Sequence, residues 1–210
     1  MSDPSDPLSR RGFLIQSALY GGSLWVLLNT PRPRAVRAAR ASSHHEALTD
    51  AEWQTVEAMT GRIIPTDHEP GAVEANCVNF IDKALVHEDA AMKPLYRDGI
   101  VGIDGVARRR FAKRFVELTA EQQDEILVAL EAGAAEGWPR ASSATAAKFF
   151  EAVRAHTIMG FLAHPKYGGN REFAGWKVTG YPGGGHHLGG YSPEQLLGKA
   201  KIKSAWGDEV

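Results

Sequence analysis

The chain has 210 residues, of which 43% are hydrophobic and 23% charged, with a formal net charge of −1, one cysteine, 22 glycines and 11 prolines. That length supports one domain with a buried core. The lone Cys77 excludes an internal disulfide framework, a cysteine-built zinc or iron–sulfur site and a covalent c-type haem, and the near-neutral balance gives no electrostatic ground for a nucleic-acid partner.

The charge is unevenly spread. Residues 1–41 hold six of the 24 Lys and Arg and two of the 25 Asp and Glu, leaving 18 against 23, or −5, for the rest. Arg10 and Arg11 precede an apolar stretch beginning at Phe13 and Leu14 and running to Leu28. Arg32, Arg34, Arg37 and Arg40 follow, with small residues at Ala38–Ala41. A charged start, an apolar middle and a small-residue cleavage site make a secretory signal. The arginine pair followed by Phe-Leu resembles the twin-arginine signal, which a receptor reads and which exports folded cargo. As a helix the apolar stretch would span about 24 Å, short of a bilayer core of about 30 Å. A cleaved signal over 1–41 is therefore expected rather than an anchor, with a domain over 42–210.

Thr49-Asp50-Ala51-Glu52 is a capping box, in which hydroxyl and carboxylate satisfy free N–H groups at a helix start. Trp53, Val56, Met59 and Ile63 then recur at helical spacing until Pro65, and Pro65 to Gly71 reads as a turn. A second helix is predicted from Ala72 to near Glu88, with Val73, Cys77, Phe80, Ile81, Ala84 and Leu85 on one face. Cys77 there reads as a small core residue. A third is predicted from Met92 to Leu118, its basic residues between Arg108 and Arg114 forming a solvated face with acidic neighbours. Thr119-Ala120-Glu121-Gln122 is a second capping box, opening a helix that turns Ile126, Leu127 and Leu130 inward. After the break at Gly137-Trp138-Pro139, Ser142 or Ser143 is the expected cap of a helix ending near Phe161. Residues 162–192 are glycine-dense without sustained periodicity, and Ser192-Pro193-Glu194 marks a short last helix. With no alternating strand pattern, the fold class is all-α, a compact helical domain with a long Gly- and aromatic-rich C-terminal loop region.

No nucleophile elbow, phosphate-binding loop or dinucleotide fingerprint occurs, so no catalytic, cofactor-binding or metal residue is assigned. Asp67-His68-Glu69, His87-Glu88-Asp89 and His186-His187 are clusters of metal-ligand types, but adjacent residues on a turn usually diverge. They leave open a free-standing periplasmic metal-binding protein or enzyme. The segment from His164 to Gly183 stands out. Its glycines and Asn170 permit sharp bends, and Tyr167, Phe173, Trp176 and Tyr181 supply rigid aromatic surfaces between them. It either plugs its own helical core or presents anchors to a partner. A sugar-binding module is a further alternative.

Tyr167-Gly168-Gly169-Asn170, followed by Gly175-Trp176-Lys177 and Gly180-Tyr181-Pro182-Gly183, resembles the gluconate 2-dehydrogenase subunit 3 family. Ile64-Pro65-Thr66-Asp67, Glu69-Pro70-Gly71-Ala72 and Phe80-Ile81-Asp82 support the resemblance, which runs from about 48 to 183. It implies a non-catalytic small subunit of a periplasmic sugar, polyol or glycoside dehydrogenase, peripheral to the inner membrane. The implied partners are a large flavoprotein of the glucose–methanol–choline type that binds FAD, a cytochrome c subunit holding haem c, and the twin-arginine translocation machinery. The small subunit supports maturation, stability and export of the large one. Within that frame Arg10, Arg11, Phe13 and Leu14 form the export signal. Tyr167, Gly168, Gly169, Asn170, Arg171, Trp176, Lys177, Tyr181 and Pro182 organise the loop or touch the partner.

Overall fold

The computed structural model describes residues 45–139, 144–183, 191–205 and 207. Among them the chain is helical, with no β-strand. The first helix, α1 (Asp50–Ile63), starts at the expected capping box: Thr49 Oγ1 accepts from the Glu52 amide at 3.3 Å, and Glu52 accepts from the Thr49 amide at 2.7 Å. Val56 and Met59 are fully buried.

The second helix is shorter than its apolar spacing suggested. It begins at Cys77, not Ala72, and α2 spans Cys77–Ala84. Asn76 takes a left-handed φ of 57°, which no helix continues through. At Gly71 the backbone passes so close to α1 that a Cβ would sit 2.6 Å from the Ile64 carbonyl, and the Ala72 amide donates to that same carbonyl. Residues 72–76 therefore form a turn rather than a helical face, and Val73, expected in the core, is exposed. Cys77 is buried, in a small apolar cluster with Ala72, Ala75, Phe161 and Ala174.

The third helix, α3 (Lys93–Phe111), also ends early, because Ala112 adopts a left-handed φ of 57°. A 3₁₀ turn at Phe115–Glu117 replaces the predicted final turns, and Asp104 holds it by accepting from the Phe115 amide at 3.0 Å. The basic residues find acidic neighbours, Arg108 with Asp104, Arg110 with Glu125 and Arg114 with Glu117. The fourth helix, α4 (Ala120–Glu131), buries Ile126, Leu127 and Leu130.

The fifth, α5 (Ala146–Leu162), is capped by Thr145, whose hydroxyl accepts from the Lys148 amide; this corrects the expectation of Ser142 or Ser143, which lie outside the described residues. Helix α5 is the centre of the domain and touches α1, α2, α3 and α4. Its close fit against α3 requires glycine there, since a Cβ at Gly99 would strike the Phe149 ring. Two short helices follow. The segment expected to be irregular contains α6 (Ala174–Thr179), which packs on α5, and Ser192 caps α7 (Pro193–Leu196). No described helix is long and apolar enough to cross a membrane.

Candidate functional site

Between α5 and α6 the chain reverses at Pro165–Tyr167 and again at Arg171–Phe173. Asn170, Glu172 and Phe173 all have positive φ, a backbone state that costs about 1–2 kcal/mol per non-glycine residue. The buried side of the segment is what holds it there. Asn170 is fully buried; its amide nitrogen donates to the Ala163 carbonyl at 2.9 Å, and its amide oxygen accepts from the Gly175 amide at 2.9 Å. Gly169 and Gly175 lie so close to the end of α5 that a Cβ on them would strike the carbonyls of Gly160 and Phe161. Trp176 is buried, donates from its indole nitrogen to the Leu162 carbonyl at 2.6 Å, and meets Tyr181 edge-on at 5.1 Å. Arg171 donates from Nε to the Glu74 carbonyl and from its amide to the Ala75 carbonyl, tying the segment to the turn before α2. Gly168 accepts from Asn79 of α2 at 2.7 Å, and Pro182 accepts from the Ala205 amide.

The residues singled out from sequence thus divide by direction. Gly169, Asn170 and Trp176 face inward and organise the segment. Tyr167, Lys177 and Tyr181 face solvent. Arg10, Arg11, Phe13 and Leu14 lie outside the described residues.

Tyr167 opens onto a groove of about 840 Å³ that sequence reasoning missed. Phe80 and Ala84 of α2 line one wall, and Ile158, Met159 and Leu162 of α5 the other. The missed signal was the apolar run Ile158-Met159-Gly160-Phe161-Leu162, which is wider than the single stripe one core contact requires. Glu46, His87, Glu88 and Asp89 also line the groove, as do Lys83 and Lys166. Lys166 stands 4.9 Å from the centre of the Tyr167 ring, a cation–π distance.

A polar chain leads from the groove into the core. Asp89 Oδ2 is 3.3 Å from His156 Nε2, and His156 Nδ1 is 2.8 Å from the hydroxyl of fully buried Tyr96. With Nε2–H donating to Asp89, Nδ1 accepts from Tyr96. Burial lowers the His156 pKa below its usual 6.5, against the opposing influence of Asp89, and burial holds the Tyr96 hydroxyl well above its usual 10.0. Both groups are therefore neutral at pH 7.

Among the described residues no three His, Cys, Asp or Glu side chains converge on a metal position. Asp67 and His68 pair at 3.3 Å on the surface, His87 stands 3.9 Å from Glu46, and His186-His187 lie outside the described residues. A buried aspartate does appear where none was expected: Asp82 accepts from the Glu46, Ala47 and Leu48 amides at 2.6–2.9 Å, pinning the strand of chain that enters α1.

These features define a small all-α domain with an apolar groove beside a tightly folded Gly-Gly-Asn segment. Residues 50–183 match the family described as gluconate 2-dehydrogenase subunit 3, which is more than half of the chain, and the protein belongs to that family. The family's name makes it a subunit of a dehydrogenase complex. Comparison with curated proteins and with solved structures returns no match.

Proposed function

We propose that this chain is the non-catalytic small subunit of a periplasmic FAD-dependent sugar, polyol or glycoside dehydrogenase. In this reading it stabilises the flavoprotein subunit and escorts it through the twin-arginine route, with Arg10 and Arg11 engaging the translocation machinery. The observation that supports it most is the family match over residues 50–183, joined to a signal-like leader with six Arg against two Asp. FAD is assigned to the partner. Electrons from the flavin pass to a cytochrome c subunit in the same complex.

Co-expression with an FAD-dependent dehydrogenase subunit from the same organism tests this. The two chains should purify as a stable heterodimer, and dehydrogenase activity should reach the periplasm. Arg10→Lys with Arg11→Lys should leave that activity in the cytoplasm. Unchanged export of the flavoprotein by the double variant, or its export without this chain, would refute the escort role.

A further inference from the structure

We propose that the groove between α2 and the C-terminal half of α5 seats an apolar segment of the dehydrogenase subunit, which brings a lysine or arginine to Asp89. The proposal deepens the reading above and rests on it. Ile158, Met159, Leu162 and Tyr167 are 40–49% exposed, and they line one groove with Phe80 on its α2 wall. A contiguous apolar face of this kind marks an interaction site, whereas isolated exposed apolar residues such as Val101 and Val128 need no explanation. From His156 to Leu162 the helix rises about 9 Å, so the groove accepts one or two turns of a partner helix.

Charge selects the occupant. At the His156 end, Asp89 is 38% exposed and, among the described residues, its ion-pair neighbour is an imidazole that burial keeps neutral, so its negative charge is offered to the groove. Glu46 and Glu88 stand on the same rim. Lys83 and Lys166 also line the groove, but at its Tyr167–Gly168 end, where the Lys83 stem lies against Gly168 and the Lys166 ammonium stands over the Tyr167 ring, whereas Asp89 stands at the His156 end. With the leader over 1–41 cleaved, residues 42–210 carry a net charge of −5, so a second copy of the remaining chain would meet like charge.

The test uses the full chain co-expressed with the large flavoprotein subunit, with affinity read by interferometry at low and high salt. Ile158→Glu with Leu162→Glu should weaken binding by about 30-fold or more, the scale of a buried hot spot. Asp89→Lys should weaken it by about 10-fold and flatten its salt dependence. Val128→Glu, on a site 65% exposed and outside the groove, should bind as wild type. Thermal unfolding checks that each variant is folded; should the double variant melt, Met159→Lys alone tests the same wall. Wild-type affinity in the groove variants overturns the groove while leaving the subunit reading intact. Failure of the wild-type chain to bind overturns both. A dimer of this chain alone that Leu162→Glu dissolves assigns the groove to a second copy and also overturns the proposal.

Discussion

Asn170→Ala is the substitution that bears most directly on how the Gly-Gly-Asn segment is held. It removes the donor to the Ala163 carbonyl and the acceptor of the buried Gly175 amide. Each of these two hydrogen bonds is worth about 1 kcal/mol net. Asn170 also has a φ of 45°, where alanine is worse than asparagine by roughly 1 kcal/mol. The sum is about 3 kcal/mol, a fall in melting temperature of roughly 6–12 °C for a domain of this size. Asn170→Gly keeps the turn and loses only the side-chain bonds, so it should cost about 2 kcal/mol. Urea unfolding of both variants, followed by tryptophan fluorescence, separates the two contributions. Equal destabilisation by Ala and Gly would show that φ contributes nothing. Stability within about 0.5 kcal/mol of wild type in both would refute the claim that Asn170 holds the segment.

The buried Tyr96–His156 pair sets a pH window. The His156 pKa is lower in the folded chain than its usual 6.5, so the unfolded state binds more protons as pH falls through 6.5, and stability should decline from there down to the folded value. Tyr96 acts at the other end: its raised pKa means the unfolded phenol ionises first, and stability should decline as pH rises above 10.0. In melting curves His156→Gln should flatten the drop between about pH 7.5 and pH 5.5 (about one pH unit either side of the free imidazole); a parallel drop in variant and wild type would exclude the imidazole as its source. Burial also pushes the Cys77 thiol up to about 12, so the folded chain should ignore a thiol reagent at neutral pH and react on unfolding. Prompt labelling of the folded chain would place Cys77 at the surface.

The helical body was readable from sequence wherever the signal is local. Thr49–Glu52, Thr119–Gln122 and Ser192–Gln195 each cap a helix because the bonding partners are three residues apart. The errors arose where the deciding contact is distant. Apolar spacing continues through residues 72–76, but the close pass of Gly71 over Ile64 bends the chain there and Asn76 delays the helix. The bidentate pair of Arg62 with Asp124, at 2.7 Å across 62 residues, joins α1 to α4, and no periodicity announces it. The buried carboxylate of Asp82 likewise takes its meaning from three amides more than 30 residues away.

The C-terminal motif shows how one sequence pattern serves two purposes at once. Between plugging the core and presenting anchors, the residues alone gave no preference, since Trp, Tyr and Gly suit both. The structure distributes the tasks by position. Asn170 and Trp176 donate to the Ala163 and Leu162 carbonyls at the end of α5 and Gly175 donates to Asn170, while Tyr167 is turned outward beside Leu162 and Met159. The inward set therefore fixes the place of the outward one. Tyr167 stands three residues before Asn170, so any change that frees Asn170 also loosens the rim of the groove. A weakened plug should then reduce affinity for a partner seated in the groove even where no contact residue is altered, because an aromatic anchor that must be ordered on binding contributes less than one already held.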